Sequence, residues 1–404
     1  MLQIKPILAA LKHHRVATFL IATQIALSMA VLCNAVFVMQ LRLAHMARRP
    51  GIDAANLAVI HYRWIEKHTT QEGGALIATD LSMLRRLPGV TDAYADYTVP
   101  AAGQEVELLL LGLRHDQHAP TSLAEDYHAD THTMSTLGLK LVAGRNFRAD
   151  EIEDIGDMQP YHPPSIIMTR ALARKLFPGE SPVGKTVQVN NHPSTIIGII
   201  RHLQVPSMNA NRIADFSVLV PSRLVSRQGN YLVRARPGQV ADVMALARKA
   251  LLAKDRMRVV SVKRYSDMLA KAYGRDRGVA ILMMAICFVL VAATVGGIVG
   301  LANFWVGQRR RQIGIRRAVG ATRGDILRYF QLENFLIVSL GIMLGILFSL
   351  ALNAALMHHY ELPRMPIWYL PLGTCFLWIL GQIAVLPSAL RAASVPPVVA
   401  TRTV

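Results

Sequence analysis

One stretch of the 404 residues spells out a chemistry letter for letter. Gly179–Thr186, GESPVGKT, satisfies G-x-x-x-x-G-K-[ST], the pattern of a loop whose amides and lysine cradle nucleotide phosphates (a Walker A loop). Read literally, it makes the chain a membrane-anchored NTPase. The surroundings oppose that reading. A phosphate-cradling loop follows a buried strand and opens a helix whose N-terminus faces the phosphates. Here the helical stretch Arg170–Phe177 precedes the loop, and an alternating, strand-like Thr186–Val189 follows it, with Asn190–Asn191 as a turn. Pro182 removes one amide that would hold phosphate. Gly179–Thr186 is therefore expected to be a false match, and the chain to bind no cofactor itself.

Other reactive side chains are sparse. Cys33, Cys287 and Cys375 each fall in an apolar window, with no CxxC or metal-spaced Cys/His group. The adjacent pair His358–His359 is a weak metal signal and reads as solvated. Glu333 is the sole acid near an apolar window. At a bilayer centre it would cost about 2.5–3.5 kcal/mol on insertion scales, whereas at the interface a link to nearby arginines suits it better. No catalytic residue and no metal site is expected, so the chain is not expected to be an enzyme.

The densest charge lies elsewhere. Seven arginines fall in Arg309–Arg328 (Arg309, Arg310, Arg311, Arg316, Arg317, Arg323, Arg328) against one acid, Asp325. Apolar Ile313, Ile315, Ala318 and Val319 interleave with them, which predicts a short amphipathic helix broken at Gly320. Thr322 with Asp325 three residues on predicts an N-cap opening the next helix. Such a surface suits a partner's grip, although basic loops also simply set topology.

The elements that position this segment follow from the apolar blocks. Val16–Leu41, Gly278–Gln308, Asn334–Tyr360 and Met365–Leu390 lack any Asp, Glu, Lys or Arg. Each exceeds the roughly 20 residues that cross a hydrocarbon core. Four transmembrane helices are expected, at 16–41, 276–305, 329–357 and 367–390. The positive-inside rule puts the basic lead 1–15, the segment 306–328 and the tail 391–404 on the cytoplasmic side. The run 358–366 is then a short outer turn. The net charge of +18 is concentrated at that face, so lipid headgroups are its expected counterpart and nucleic acid is not. Gln24 and Asn34 should hydrogen-bond to neighbouring helices. The pairs Gly296/Gly300 and Gly341/Gly345 offer close helix packing.

Residues 42–275 read as an extracytoplasmic α+β domain. Strands are predicted at Asn56–Trp64, Ala93–Val99 and Val106–Leu113, the last nearly all apolar and so buried, with a helix at Thr79–Leu87. A second unit runs strand Tyr231–Arg236, helix Val240–Ala253, strand Arg258–Lys263. These βαβ-like halves, about 52–113 and 214–265, flank an insertion at about 114–213. Met257–Tyr273 is expected to continue as an amphipathic stalk.

The run RRRQIGIRRAVGATRGDILRYFQLE (Arg309–Glu333) closely resembles the segment between the second and third membrane helices of FtsX/MacB-type ABC-transporter permeases, typically RRREIGIRRALGATRRDILRQFLLE. Gly138–Phe147 (GLKLVAGRNF) and Ser165–Ile200 resemble that family's outer core, which typically carries GR-x-F and SLA-x-x-LFPGEDPVGK. The ending Leu386–Arg402 is similar to PARRAARLDPVEALR but has Val395–Pro396 and Val398–Val399 where the family has Asp-Pro and Glu. The resemblance implies an α-helical membrane protein of four transmembrane helices. A porter-like α+β domain with an inserted subdomain lies between helices 1 and 2.

It further implies a bacterial inner-membrane permease without a fused ATP-binding domain. Coupling to a separate ATP-binding subunit, which holds ATP and Mg, would run through Arg310, Arg311, Ile313, Gly314, Ile315, Arg316, Arg317, Ala318, Gly320, Ala321 and Glu333. A second, identical or homologous permease completes a dimer, with room for a periplasmic adaptor and an outer-membrane channel. Export of a peptide, drug or lipid-like substrate by mechanotransmission is the implied activity. The alternative is an FtsX-like regulatory module that moves an extracytoplasmic partner and transports nothing.

Overall fold

The structure, a computed structural model, describes residues 15–48, 50–102, 108–114, 120–157, 159–206, 213–360 and 362–394. The lead 1–14 and the tail 395–404 lie outside the described residues. The chain divides into a membrane unit, up to Ala47 and from Asp276 onward, and an α/β unit, Arg48–Arg275. In chain order α1 (Arg15–Met46) precedes β1 (Leu57–Trp64), α2 (Thr70–Arg85), β2 (Val90–Asp96), β3 (Leu108–Gly112) and β4 (Ser122–His128). Then come α3 (Thr133–Leu137), β5 (Leu141–Gly144), β6 (Glu153–Gly156), β7 (Ser165–Thr169), α4 (Arg170–Leu176), β8 (Thr186–Val189) and β9 (His192–Ile200). The α/β unit ends with β10 (Ser217–Val220), β11 (Ser222–Val225), β12 (Gln228–Ala235), α5 (Val240–Lys254), β13 (Arg258–Arg264) and α6 (Tyr265–Ala272). Four helices follow: α7 (Gly274–Gln308), α8 (Arg310–Ala318), α9 (Arg323–Tyr360) and α10 (Tyr369–Ala393).

The α/β unit has two main sheets. In the first, the order is β13-β1-β12-β2, with every neighbouring pair antiparallel. The units β1-α2-β2 and β12-α5-β13 therefore interlock as split βαβ motifs, each inserting a strand into the other. Helices α2 and α5 cover one face, burying Ile60, Tyr62, Ile77, Leu84, Val243 and Leu251. Asp80 of α2 is fully buried there. It accepts from Tyr231 Oη at 2.8 Å, Lys254 Nζ at 2.8 Å and Arg258 Nη1 at 2.5 Å, which joins the two motifs. In the second sheet, β5-β9-β7-β10-β4-β3-β8, an added β8–β9 pairing closes six strands into a small barrel. Its interior holds Leu111, Ile166, Met168, Val187, Ile196 and Val218.

Several expectations are corrected. Helix α2 starts at Thr70, nine residues before the expected Thr79, on a capping box between Thr69 and Glu72. Gly73 and Gly74 hide this start in the sequence, and each is closely approached by a side chain. A Cβ on Gly73 would overlap Val225 Cγ1, and one on Gly74 would displace the Asp154 carboxylate. Strand β3 is not buried throughout: Leu108 and Leu110 are 42% and 47% exposed, because only alternate residues face the barrel interior. The limits 52–113 and 214–265 put β3 and β10 in the first layer, whereas both pair within the second sheet. The stalk expected over Met257–Tyr273 is strand through Arg264 and helix only from Tyr265.

In the membrane unit four helical stretches are long and apolar enough to cross a membrane: Thr18–Met46, Tyr265–Gln308, Arg323–His359 and Tyr369–Ala393. The first three outrun their apolar windows because helix propensity continues into the flanking charged residues, whereas the fourth starts four residues inside Met365–Leu390 and ends three beyond it. Helix α1 is the centre of the bundle, with Ile25, Met29 and Phe37 packed among Ile337, Ile342 and Leu377. A Cβ on Gly341 would stand 2.7 Å from Ile25 Cβ, and one on Gly345 2.6 Å from Met29 Cβ, so α9 meets α1 through these glycines. Gly296 and Gly300 instead have open space around them. Gln24 Nε2 donates to the Ala293 carbonyl at 2.8 Å, and Asn34 Nδ2 to that of Ser349 at 3.1 Å.

Candidate coupling site

The arginine-rich segment folds as two helices joined at a glycine. Helix α8 ends at Ala318, and Gly320 takes φ 108°, a left-handed conformation that turns the chain. Thr322 then caps α9. The Asp325 amide donates to Thr322 Oγ1 at 3.2 Å, and the Thr322 amide to Asp325 Oδ2 at 3.0 Å.

The two faces of α8 differ. Ile313 is 5% exposed and packs on Ile326 and Phe330 of α9 and on Ala389, Ala392 and Ala393 of α10. Gly314 is buried beside it. Ile315 is 51% exposed, and Val319, just past the end of the helix, is 84% exposed. Ala318 and Gly320 are exposed too, and Ala321 is partly so. Arg316 stacks over the Tyr329 ring at 5.0 Å, and Arg317 Nη1 donates to the Ala393 carbonyl at 3.2 Å. Arg310 and Arg311 belong to α8, but their side chains lie outside the described residues. Between α8 and the start of α9 is a groove of about 160 Å³, lined by Gln312, Ile313, Arg316, Ala321, Ile326 and Tyr329 among others.

Glu333 does not reach that surface. It is 1% exposed and accepts both Glu333 contacts of Arg309 Nη1, at 3.0 Å on Oε1 and 3.0 Å on Oε2. Its role in the site is to fasten the residue preceding α8 to α9. Sequence reasoning grouped Ile313, Ile315 and Glu333 together. The structure separates them into two buried residues (Ile313, Glu333) and one exposed residue (Ile315). Val319, part of the segment's apolar interleaving, is exposed like Ile315.

The phosphate-loop look-alike has a geometry of its own. Helix α4 leads into it and β8 leads out, the reverse of strand-loop-helix order. The Gly184 amide donates to the Ile196 carbonyl at 2.8 Å and the Lys185 amide to that of Pro182 at 3.1 Å, so both are engaged within the loop's own surroundings. Lys185 Nζ pairs with Glu180 and lies 5.0 Å from the Phe177 ring centre. Among the described residues no group of three or more His, Cys, Asp or Glu is placed to hold a metal.

A sequence profile described as "MacB-like periplasmic core domain" matches residues 18–250, and one described as "FtsX-like permease C-terminal" matches residues 282–397. The "Macrolide export ATP-binding/permease protein MacB" of Bartonella quintana is 26% identical over 415 residues, covering 97% of this chain and 58% of that protein. The "Uncharacterized ABC transporter permease YknZ" of Bacillus subtilis is 26% identical over 280 residues, 67% of each chain. The chain thus spans little more than half the length of the MacB relatives it matches. Among solved structures, the extracellular domain of YknZ aligns with 50% of this chain and 99% of its own, at 15% identity and a TM-score of 0.33. The periplasmic region of MacB from Actinobacillus actinomycetemcomitans aligns with 56% and 95%, at 15% identity and a TM-score of 0.34. With profile matches extending from the first membrane helix to the last, the chain belongs to the MacB-like, FtsX-type family of ABC-transporter permeases.

Proposed function

We propose that the chain is a membrane subunit that converts ATP turnover in a separate ATP-binding subunit into movement of its own α/β unit. In this reading it lies in a bacterial inner membrane, with the arginine-rich segment and both termini in the cytosol and the α/β unit outside. ATP and Mg belong to the partner, and the chain contributes no catalytic group. Gly179–Thr186 binds no nucleotide. A second permease, identical or homologous, completes the dimer. The work done is export of a peptide, drug or lipid-like cargo, with a periplasmic adaptor and an outer-membrane channel as further partners.

The observation that carries the reading is the division of α8. Ile313 anchors one side to α9 and α10, while Ile315 and Val319 stand in solvent among arginines. An exposed apolar pair ringed by charge is a docking surface, because burying it against a partner recovers about 1.5–3 kcal/mol per side chain. The test is co-purification of the full chain from its own host in mild detergent. The wild type should bring down an ATP-binding subunit in one-to-one ratio. Ile315→Asp with Val319→Asp should reduce that yield by at least about tenfold, since a carboxylate cannot be buried there unpaired. Full retention by the double variant overturns the coupling assignment.

A further inference from the structure

Helix α7 is the least embedded of the four spans: 11% of its most apolar window is buried, against 67% for α1. Apolar packing of Ile298, Ala302 and Trp305 holds part of it, and polar contacts hold the rest. At one end Arg309, directly after α7, pairs with buried Glu333 of α9. At the other end Asp276, in the first turn of α7, is 7% exposed. Its Oδ1 accepts from Arg42 Nη1 at 3.0 Å and its Oδ2 lies 2.7 Å from His45 Nδ1, both on α1. Between these ends the Gln24 contact to Ala293 and a 2.8 Å bond joining the Ser28 and Thr294 hydroxyls bridge α1 and α7.

The place of Asp276 in the chain gives this cluster meaning. It follows Arg275, the last residue of the α/β unit, and His45 lies three residues before Arg48, the first. One covalent connection between the units therefore begins at the carboxylate's own residue, and the other lies within three residues of its partner His45. Desolvating a carboxylate is costly unless each oxygen is matched, and here each oxygen has its own partner.

We infer that Arg42, His45 and Asp276 form a clamp that binds the two connections into one, so that α7 works as a rod pinned at Asp276 and at Arg309–Glu333. Displacement at α8 then reaches the α/β unit through both connections together. These are positioning residues. The clamp rests on the contacts alone, whereas the direction of transmission rests on the coupling reading above.

Hydrogen exchange on the full chain in mild detergent tests the clamp without any partner. Asp276→Asn should speed amide exchange at residues 41–46 and at residues 274–280 together, by about tenfold, while residues 165–200 stay unchanged. Arg42→Gln, with a partly exposed side chain less able to disturb folding, should loosen both ends by a smaller factor. The swap Arg42→Asp with Asp276→Arg should restore slow exchange. Loosening of α7 alone, or of neither helix, overturns the clamp. In the complex with its ATP-binding subunit, Asp276→Asn should keep ATP turnover within about twofold while losing the nucleotide-dependent change in exchange of residues 48–275. Asp276→Glu should recover that change. A nucleotide response of wild-type size in Asp276→Asn overturns the rod. Absence of any ATP-binding subunit from the wild-type preparation would count against the coupling reading, and the partner-free exchange would still decide the clamp.

Discussion

Asp96 shows how much a single buried group can reveal in the α/β unit. It ends β2, opposite Asn230 of β12, and is 4% exposed. Its carboxylate accepts from the Thr98 amide and from Thr98 Oγ1, each at 3.2 Å. Burial nevertheless pushes its pKa well above the ordinary carboxylate range, with nearby Asp126 adding to the effect and the Thr98 bonds opposing it. A carboxyl whose folded-state pKa exceeds its unfolded value binds a proton more tightly when folded. Folding stability then falls as pH rises from about 4 to the folded pKa, and acidification restores it. Asp96 should therefore favour a higher melting temperature of the α/β unit on acidification toward pH 5, against the opposing contribution of buried His128, whose pKa burial pushes down. Asp96→Asn should remove that contribution, so that the variant gains less, or loses more, than the wild type between pH 7 and pH 5, and an identical pH dependence would count against this assignment. Nothing in the local sequence VTDAYAD distinguishes Asp96 from Asp92, which salt-bridges Arg85 and His132 instead.

At the scale of elements, the junction between α8 and α9 is the most local device in the molecule. Gly320 supplies the turn and Thr322 the cap, and both were legible because a cap and its partner lie three residues apart. Thr322→Ala removes the side-chain acceptor for the Asp325 amide. Exchange of the amides at residues 323–326 should quicken by about fivefold, with α8 and the middle of α9 unaffected. Loss of protection throughout α9 would mean that the cap supports far more than its own turn. By contrast, the local sequence places the start of α2 nine residues too late. Its Gly73 and Gly74 lower helix propensity locally, and the reason for them lies in Val225 and Asp154, far away in the chain.

At the scale of the whole molecule, the chain divides into two compact units and passes between them at Ala47–Arg48 and at Arg275–Asp276. The α/β unit contains its own cores in the interlocked sheet and in the barrel. Residues 48–275 expressed alone should therefore fold and melt cooperatively. Within that unit Asp80→Ala should cost about 3–5 kcal/mol, measured by urea unfolding, because it strands Arg258 and Lys254 beside the core. A loss below about 1 kcal/mol would show that the two motifs hold together by apolar packing alone.

By itself the sequence determined what depends on neighbours along the chain. Blocks of uncharged residues set the four spans, and the arginine cluster with its glycine and cap set the segment between the second and third. Long ordered motif runs set the family. Tertiary structure alone decided what depends on pairing across distance. It interlocked two βαβ motifs that read as side-by-side units, because β1 finds its partners at residues 228–234 and 258–264. It turned Ile313 inward and Ile315 outward, since their facing is fixed by α9 and α10 and not by the composition of α8. It left Gly296 and Gly300 open while bringing Gly341 and Gly345 against α1. It also brought Asp276 to His45, 231 residues away, where a buried carboxylate finds the two partners that no local pattern announces.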